Sequence, residues 1–401
     1  MRKVHLGDVV DFISGGTPNT STPHYWSGSI PWASAKDLKS FYLWDTADHV
    51  SEDGAAAGTR FVNPGTTLLL TRGMTLLKDV PVVVAKTRMT FNQDIKALIA
   101  KPALDPTFLP YILVGRKLDL LSMVDLAGHG TGRLNSEELR RFEIVLPSRP
   151  QQRRIAEILC ALDDKIELNR RMNETLEAIA RAVFLKHFAS ETSRAELRDV
   201  VTALRRGVSP TYVPAGGVRV VNQKCVRDGW LSFDACRRHD DTHGRAVDGL
   251  LLRVGDIVVN STGVGTLGRV AQVHDLTERT TFDSHVTVVR PDVDVVDELY
   301  VGFVLRMSQD DIEELGEGST GQTELSGARL GSFEIPYAPL EKQRVFAQIA
   351  KPLVQRQLSN EHESATLAQI RDTLLPKLLS GELRVRDAED VVADATAGAA
   401  V

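Results

Sequence analysis

The 401 residues are 42% apolar and 25% charged, the balance of a globular protein with room for two or three domains. A net charge of −5 excludes a uniformly basic nucleic-acid coat, but not a local positive surface. No apolar run reaches the roughly 18 residues of a membrane span, the start lacks a signal-peptide core, and the odd, widely spaced Cys160, Cys225 and Cys236 suit reduced thiols in a cytoplasmic protein.

Read in order, the chain says most things twice. Leu6-Gly7-Asp8-Val9-Val10 returns as Leu197-Arg198-Asp199-Val200-Val201, Phe142-Glu143-Ile144 as Phe333-Glu334-Ile335, and Gln152-Arg153 as Gln343-Arg344, each 191 residues later. Between them, Pro64-Gly65-Thr66 with the run Leu68-Leu69-Leu70 matches Val254-Gly255-Asp256 with Ile257-Val258-Val259. Gly130-Thr131-Gly132-Arg133 matches Ser319-Thr320-Gly321-Gln322. Five matches in one order signify a duplication.

Residues 1–147 hold short β-rich runs broken by Gly, Pro, Asn and Asp, among them Val80–Val84 and Asp94–Ile99, with a helical pattern near 107–123. They are expected to form a compact α/β domain. Residues 148–190 change texture: Ile155, Ile158, Leu159, Leu162, Ile166, Met172, Leu176, Ile179 and Val183 recur three or four apart, the stripe of one long helix of roughly 55 Å. Asn169 and Asn173 fall on or beside that stripe, where a buried Asn sets register against a partner helix.

Residues 191–338 repeat the strand-rich texture, including Gly255–Val259 and Ser284–Val289, with a helical pattern near 297–315. Residues 339–386 repeat the helix through Phe346, Ile349, Leu353, Leu367, Ile370, Leu374 and Leu378, with Pro352 expected to kink or start it. The acidic tail 387–401 is expected to be disordered. The fold class that results is α/β (α+β): two globular domains joined by two long antiparallel helices, a pseudo-twofold internal repeat. The seam between the helices, or a partner's face, is assigned to Ile155, Leu159, Leu162, Ile166, Asn169, Leu176, Val183, Phe346, Ile349, Leu367, Leu374 and Leu378.

Motifs of catalysis fall away on inspection. Gly263-Val264-Gly265-Thr266-Leu267-Gly268 fits a dinucleotide fingerprint, yet the β-like Arg269–Val273 follows where a helix is required. His239 and His243 have a metal-ligand spacing but sit in a polar, loop-like stretch without a third ligand. What remains are polar, Gly-rich loops at matching places in both repeats. Arg, Lys, Asn and Gln read base edges, and Ser, Thr and glycine-rich backbone suit phosphate oxygens. The candidate DNA-binding residues are Gly16, Thr17, Trp32, Lys36, Arg72, Gly73, Asn92, Gln93, Thr131 and Arg133 in the first repeat. In the second they are Asn222, Lys224, Ser261, Thr262, Ser284, His285, Ser319, Thr320 and Gln322.

These features resemble the specificity subunit of type I restriction–modification systems. The resemblance is carried by Leu6-Gly7-Asp8 with Ser14-Gly15-Gly16-Thr17-Pro18, by Ile30-Pro31-Trp32, and by Leu146-Pro147, Gln151-Gln152-Arg153, Ile155-Ala156 and Leu162–Ile166. Leu374-Leu375-Pro376-Lys377-Leu378-Leu379-Ser380-Gly381-Glu382-Leu383, with its proline and terminal glycine, resembles the close of that family's distal helical region. The resemblance implies two target-recognition domains reading a bipartite, asymmetric sequence in double-stranded DNA, and a helical spacer between them. It also implies two methyltransferase subunits and restriction subunits as partners. No cofactor would be held in this chain: S-adenosylmethionine, ATP and Mg would be used by the partners, and the chain would be cytoplasmic and non-catalytic. The alternatives in other classes are a coiled-coil adaptor without DNA specificity, and a self-sufficient nuclease or methylase with an unrecognised site.

Overall fold

The computed structural model describes residues 2–126, 130–244, 246–318 and 323–398. The chain divides into two units, one of Met1–Arg170 with Glu361–Val401 and one of Arg171–Asn360. Each unit thus holds one globular domain and a stretch of each long helix.

The same closure builds both domains. In the first, strand Arg2–His5 pairs antiparallel with Glu143–Leu146, Val4 opposite Ile144, and the Leu6 N–H donates to the Phe142 carbonyl at 2.9 Å. In the second, Arg194–Glu196 pairs with Glu334–Pro336, Ala195 opposite Ile335, and the Leu197 N–H donates to the Phe333 carbonyl at 2.9 Å. The repeat seen in sequence is therefore a repeat of hydrogen bonds: the first strand of each domain zips to the strand that feeds its long helix.

Within each closure lie two larger sheets and one small one. The first domain has a five-stranded sheet in the order Val10–Ser14, Ile95–Ala100, Thr67–Leu70, Val82–Ala85, Tyr42–Leu43, and a four-stranded one in the order Asp48–Val50, Ile30–Ala33, Met89–Phe91, Phe61–Val62. The second has the orders Val201–Arg206, Val286–Pro291, Ile257–Asn260, Val270–Gln272 and Tyr212–Val213, Arg237–His239, Val218–Val221, Thr280–Phe282. Central strands such as Thr67–Leu70, Val82–Ala85 and Ile257–Asn260 are buried at every residue, so they read as unbroken apolar runs rather than alternating ones. Gly15 and Gly207 occupy equivalent crossings: a Cβ at either would run into the carbonyl of Phe91 or Phe282. Backbone passes directly over backbone there, and only glycine fits.

The long helices run Arg149–Phe188 and Leu340–Ser380, of 40 and 41 residues. In the first unit they pack antiparallel: Asp163 meets Arg371 (2.6 Å), while Lys165 and Asn169 meet Glu363 (3.0 and 2.8 Å). Ile155, Leu159, Leu374 and Leu378 join the core of the first domain, and Leu162 and Leu367 are buried beside it. Within the second unit Asn173 and Gln357 exchange side-chain-to-backbone bonds (3.3 and 3.1 Å), and the Asn360 amide donates to Asn173 Oδ1 at 2.7 Å. Phe346 sits edge-on to Phe184 and Phe188 with centroids 5.4 and 5.7 Å apart. Ile166, Leu176 and Val183 are half-buried, and Asn169 is fully buried.

Four expectations are corrected. Ile349, assigned to the seam or a partner's face, is 42% exposed and lies off the seam, and Ile179 of the stripe is 46% exposed; Ala350 and Ala180, one position along, turn inward instead. The buried positions Phe346, Ala350, Val354 and Gln357 fall four, four and three apart, close to the 3.6 residues of a helical turn, and leave the apolar flank outside. Pro352 does not start the second helix, which continues through it and through Pro376 to Ser380. Buried Ala350 and Val354 on either side hold that turn in place, offsetting the single lost N–H. The tail is not disordered through 398. Gly381, at φ +76°, ends the long helix in the left-handed conformation, and a further helix runs Val385–Gly398. Val385, Ala388 and Val392 make a short apolar stripe against the core of the first domain, and Arg154 pairs with Glu389 at 3.0 Å.

Two glutamines tie each domain to its helix. Gln152 accepts the Asp105 N–H (2.8 Å) and donates to the Pro147 and Ala103 carbonyls (3.0 and 3.2 Å). Its counterpart Gln343 accepts the Asp297 N–H (2.8 Å) and donates to the Ala338 carbonyl (2.7 Å). Both side chains are sealed from water, at 1% and 0% exposure. Replacing Gln152 by Ala strands a buried N–H and two carbonyls, a cost of about 2 kcal/mol or more. Urea unfolding of Gln152→Ala should show a lower midpoint at unchanged slope, while Glu157→Ala, on the exposed face of the same turn, should stay within about 0.5 kcal/mol of the parent.

Candidate nucleic-acid interface

In the first domain the buried strand Thr67–Leu70 leaves the sheet at Thr71, whose N–H donates to the Asp94 carbonyl (2.7 Å) and whose carbonyl accepts the Leu134 N–H (2.9 Å). The turn carries the chain into the two-residue strand Arg72–Gly73, which pairs with Gly132–Leu134, itself paired with Val124–Leu126. Arg72 stands opposite Arg133, and Arg133 opposite Asp125. The cleft beside them is lined by Thr71, Arg72, Gln93, Asp94, Lys96 and Arg133. The Lys96 ammonium donates to Ser14 Oγ at 2.6 Å, and Thr17 Oγ1 donates to Gln93 Oε1 at 2.6 Å. Burial lowers the pKa of Lys96; Asp94 opposes that shift and Arg72 adds to it.

Neither Arg72 nor Arg133 is in an ion pair among the described residues. Two guanidinium groups held directly across a strand pair repel one another and disfavour the folded state. Such a juxtaposition, beside a third cation, is a surface prepared for a ligand rich in acceptors or negative charge.

The second domain repeats the frame with other side chains. The Ser261 N–H donates to the His285 carbonyl (2.9 Å), the Leu325 N–H donates to the Ser261 carbonyl (2.8 Å), and Thr262 bridges Glu324. Position for position, Thr262 replaces Arg72, Glu324 replaces Arg133, Ser284 replaces Gln93 and His285 replaces Asp94. Thr262 Oγ1 lies 2.8 Å from His285 Nδ1 and donates to Gln223 Oε1 at 3.4 Å. Arg206, which stands opposite Thr287 as Ser14 stands opposite Lys96, pairs with Glu324 and donates to the Leu325 carbonyl at 2.7 Å.

The structure sorts the sequence candidates. Arg72, Gly73, Gln93 and Arg133 come together, with Thr17 joined through Gln93 and Thr131 beside Gly132. Thr262, Ser284 and His285 come together in the second domain. Trp32 is corrected: it is 7% exposed, edge-on to Trp26 at 5.0 Å, and its ring N–H donates to the Gly16 carbonyl at 3.0 Å, so it builds the domain instead of stacking on a base. Ser261 is likewise buried at 0% and hydrogen-bonded to the Thr287 hydroxyl. Asn92, 7% exposed, shapes a turn by accepting the Asp94 N–H at 3.1 Å. Lys36 pairs with Asp48 at 2.7 Å and does not line the cleft. Asn222 caps a turn through the Lys224 N–H and donates to the Ala235 carbonyl at 2.8 Å, leaving Lys224 exposed. Ser319, Thr320 and Gln322 lie outside the described residues.

Sequence reasoning missed Lys96, Asp125, Arg206 and Glu324. Glu324 was within reach, because Arg133 moved by the repeat offset of 191 lands on it. The glycine-rich Gly263–Gly268 is the connection between the antiparallel strands Ile257–Asn260 and Val270–Gln272. His239 is buried and its ring accepts the Thr211 N–H at 3.0 Å. Among the described residues no cluster of His, Cys, Asp and Glu could hold a metal, and no helix is long and apolar enough to cross a membrane.

Comparison with known proteins finds specificity subunits of type I restriction systems among the relatives. Residues 1–178 match the family model of the type I restriction modification DNA specificity domain. Across 412 aligned positions the chain is 25% identical to the type I restriction enzyme MjaIX specificity subunit of Methanocaldococcus jannaschii, covering 95% of this chain and 93% of that one. It is 29% identical over 160 residues to the EcoR124I/EcoR124II specificity subunit of Escherichia coli, covering 39% and 40%. The solved S subunit of a type I restriction-modification system from M. genitalium shares the fold, with a TM-score of 0.60 at 17% identity over 94% of this chain and 95% of that one.

The repulsion between the paired arginines has a measurable consequence. Arg72→Ala should leave unfolding stability within about 0.5 kcal/mol of the parent or raise it slightly. Urea unfolding of the purified protein checks this, and a loss above about 1 kcal/mol would show that Arg72 holds the fold together instead.

Proposed function

We propose that the chain is a type I restriction–modification specificity subunit whose two domains read the two unlike halves of one double-stranded DNA target. The chain supplies specificity and no catalysis. One observation carries the reading: the hydrogen-bonded frame around Thr71 and Asp94 recurs around Ser261 and His285, while the side chains it displays are exchanged. A duplicated frame with identical side chains would read a symmetric site. Here Arg72 and Arg133 are displayed in one domain and Thr262 and Glu324 in the other, so the halves differ.

Phosphate contacts give affinity and base contacts give sequence. The net charge of −5 leaves the chain a weak polyelectrolyte partner for DNA by itself. On this reading two methyltransferase subunits complete the clamp and carry S-adenosylmethionine, and restriction subunits bring ATP and Mg chemistry. The long helices are the spacer that fixes the separation of the half-sites.

The test is a genome-wide map of methyladenine in cells expressing the cognate methyltransferase subunit with and without this chain. A split, asymmetric motif is expected only when the chain is present. Exchanging residues 194–336 for the same segment of a relative should change one half of the motif and leave the other intact. A complex that assembles and methylates without any chain-dependent motif would instead favour an adaptor role.

A further inference from the structure

The row Asp125–Arg133–Arg72 spans three adjacent strands, with each residue the direct cross-strand partner of the next. Directly opposed residues share a face, and all three are exposed. At about 4.8 Å between strands, the row is about 10 Å wide. Its two-stranded part, Val124–Leu126 with Gly132–Leu134, is the kind of β-ribbon that the roughly 12 Å major groove admits, with Arg72 on the strand beside it. The row offers one acceptor carboxylate beside two donor forks that no carboxylate engages in an ion pair among the described residues.

We propose that this row reads a G·C pair in the half-site of the first domain, Arg72 and Arg133 donating to guanine O6 and N7 and Asp125 accepting from cytosine N4. The inference rests on the DNA-reading role proposed above and adds the base and the residues. The chemistry selects this pair. Guanine shows two acceptors side by side, O6 and N7, one for each guanidinium of the row, and its cytosine partner shows the amino donor that a carboxylate accepts. Thymine presents the O4 acceptor where cytosine presents its N4 donor, and an acceptor there opposes the Asp125 carboxylate. The second domain has Thr262 and Glu324 at the positions of Arg72 and Arg133, so the same pair is not read there.

Arg72 and Arg133 could instead serve phosphates, and Lys distinguishes the two roles. A lysine keeps the charge but loses the planar fork. The experiment maps methyladenine in cells carrying the methyltransferase subunit with the parent chain, Arg72→Lys, Arg133→Lys or Asp125→Asn. Co-purification with that subunit serves as the check that each variant folds and assembles. The parent motif should contain a G·C pair in the half that does not change when residues 194–336 are exchanged. Each substitution should relax that one position about tenfold or more, with the other half of the motif unchanged.

A first half without any G·C pair overturns the inference. So does an unchanged motif in both arginine variants, which would make them phosphate contacts. Absence of any motif dependent on the parent chain is a different failure, that of the DNA-reading role itself, and the inference falls with it.

Discussion

Two buried glutamine side chains, Gln152 and Gln343, hold the architecture together at equivalent points. Each occupies the first turn of a long helix, where helical N–H groups are still unpaired, and reaches sideways to the backbone of its globular domain. An amide can accept and donate at once, which no apolar residue can do and which lets a sealed site satisfy both an N–H and a carbonyl. Because these bonds are directional, they fix the angle at which the helix leaves the domain as well as the contact. Everything displayed on the domain is oriented relative to the helix through them.

The seam between the helices is more polar than stability alone would select. Asn169 donates to Glu363, Asn173 and Gln357 exchange bonds through their backbones, and Asp163 is clasped by Arg371 (2.6 Å) and the Tyr111 hydroxyl (2.8 Å) at 3% exposure. Burial pushes the Asp163 carboxyl above its ordinary pKa, with the Arg371 charge and the Tyr111 hydroxyl opposing it. Buried pairs of this kind give little net stability because desolvation offsets their attraction. What they provide is register: a helix shifted by one turn would leave each of them unpaired in an apolar seam.

Against that rigid frame, the display surface is free to vary. Thr71 and Ser261 make the same two backbone bonds, and the residues that follow them, Arg72 and Thr262, share no chemistry. Backbone bonds set the frame and leave the side chains unconstrained, so a duplicated domain can diverge in what it recognises without losing its fold. This separation explains how one ancestral unit came to present an arginine pair in one copy and a threonine–glutamate pair in the other.

The offset of 191, the strand-rich and helical textures and the two long helices were legible in sequence because each is a local pattern or a repeat of one. The loops around Arg72 and His285 were found for the same reason. Local patterns could not say which face of a loop is covered: Trp32 and Ser261 carry polar groups yet lie in the interior, since their partners, Gly16 and Thr287, come from other strands. Nor could periodicity alone place Ile349 outside the seam or fold the acidic tail onto the first domain, where Ala388 finds an apolar surface built by residues far away in the chain. Sequence by itself determined the duplication and the domain textures. Only tertiary structure set Arg72 beside Arg133 and Asp125, because strand register joins it to residues more than fifty positions further along the chain, and no local pattern encodes that pairing.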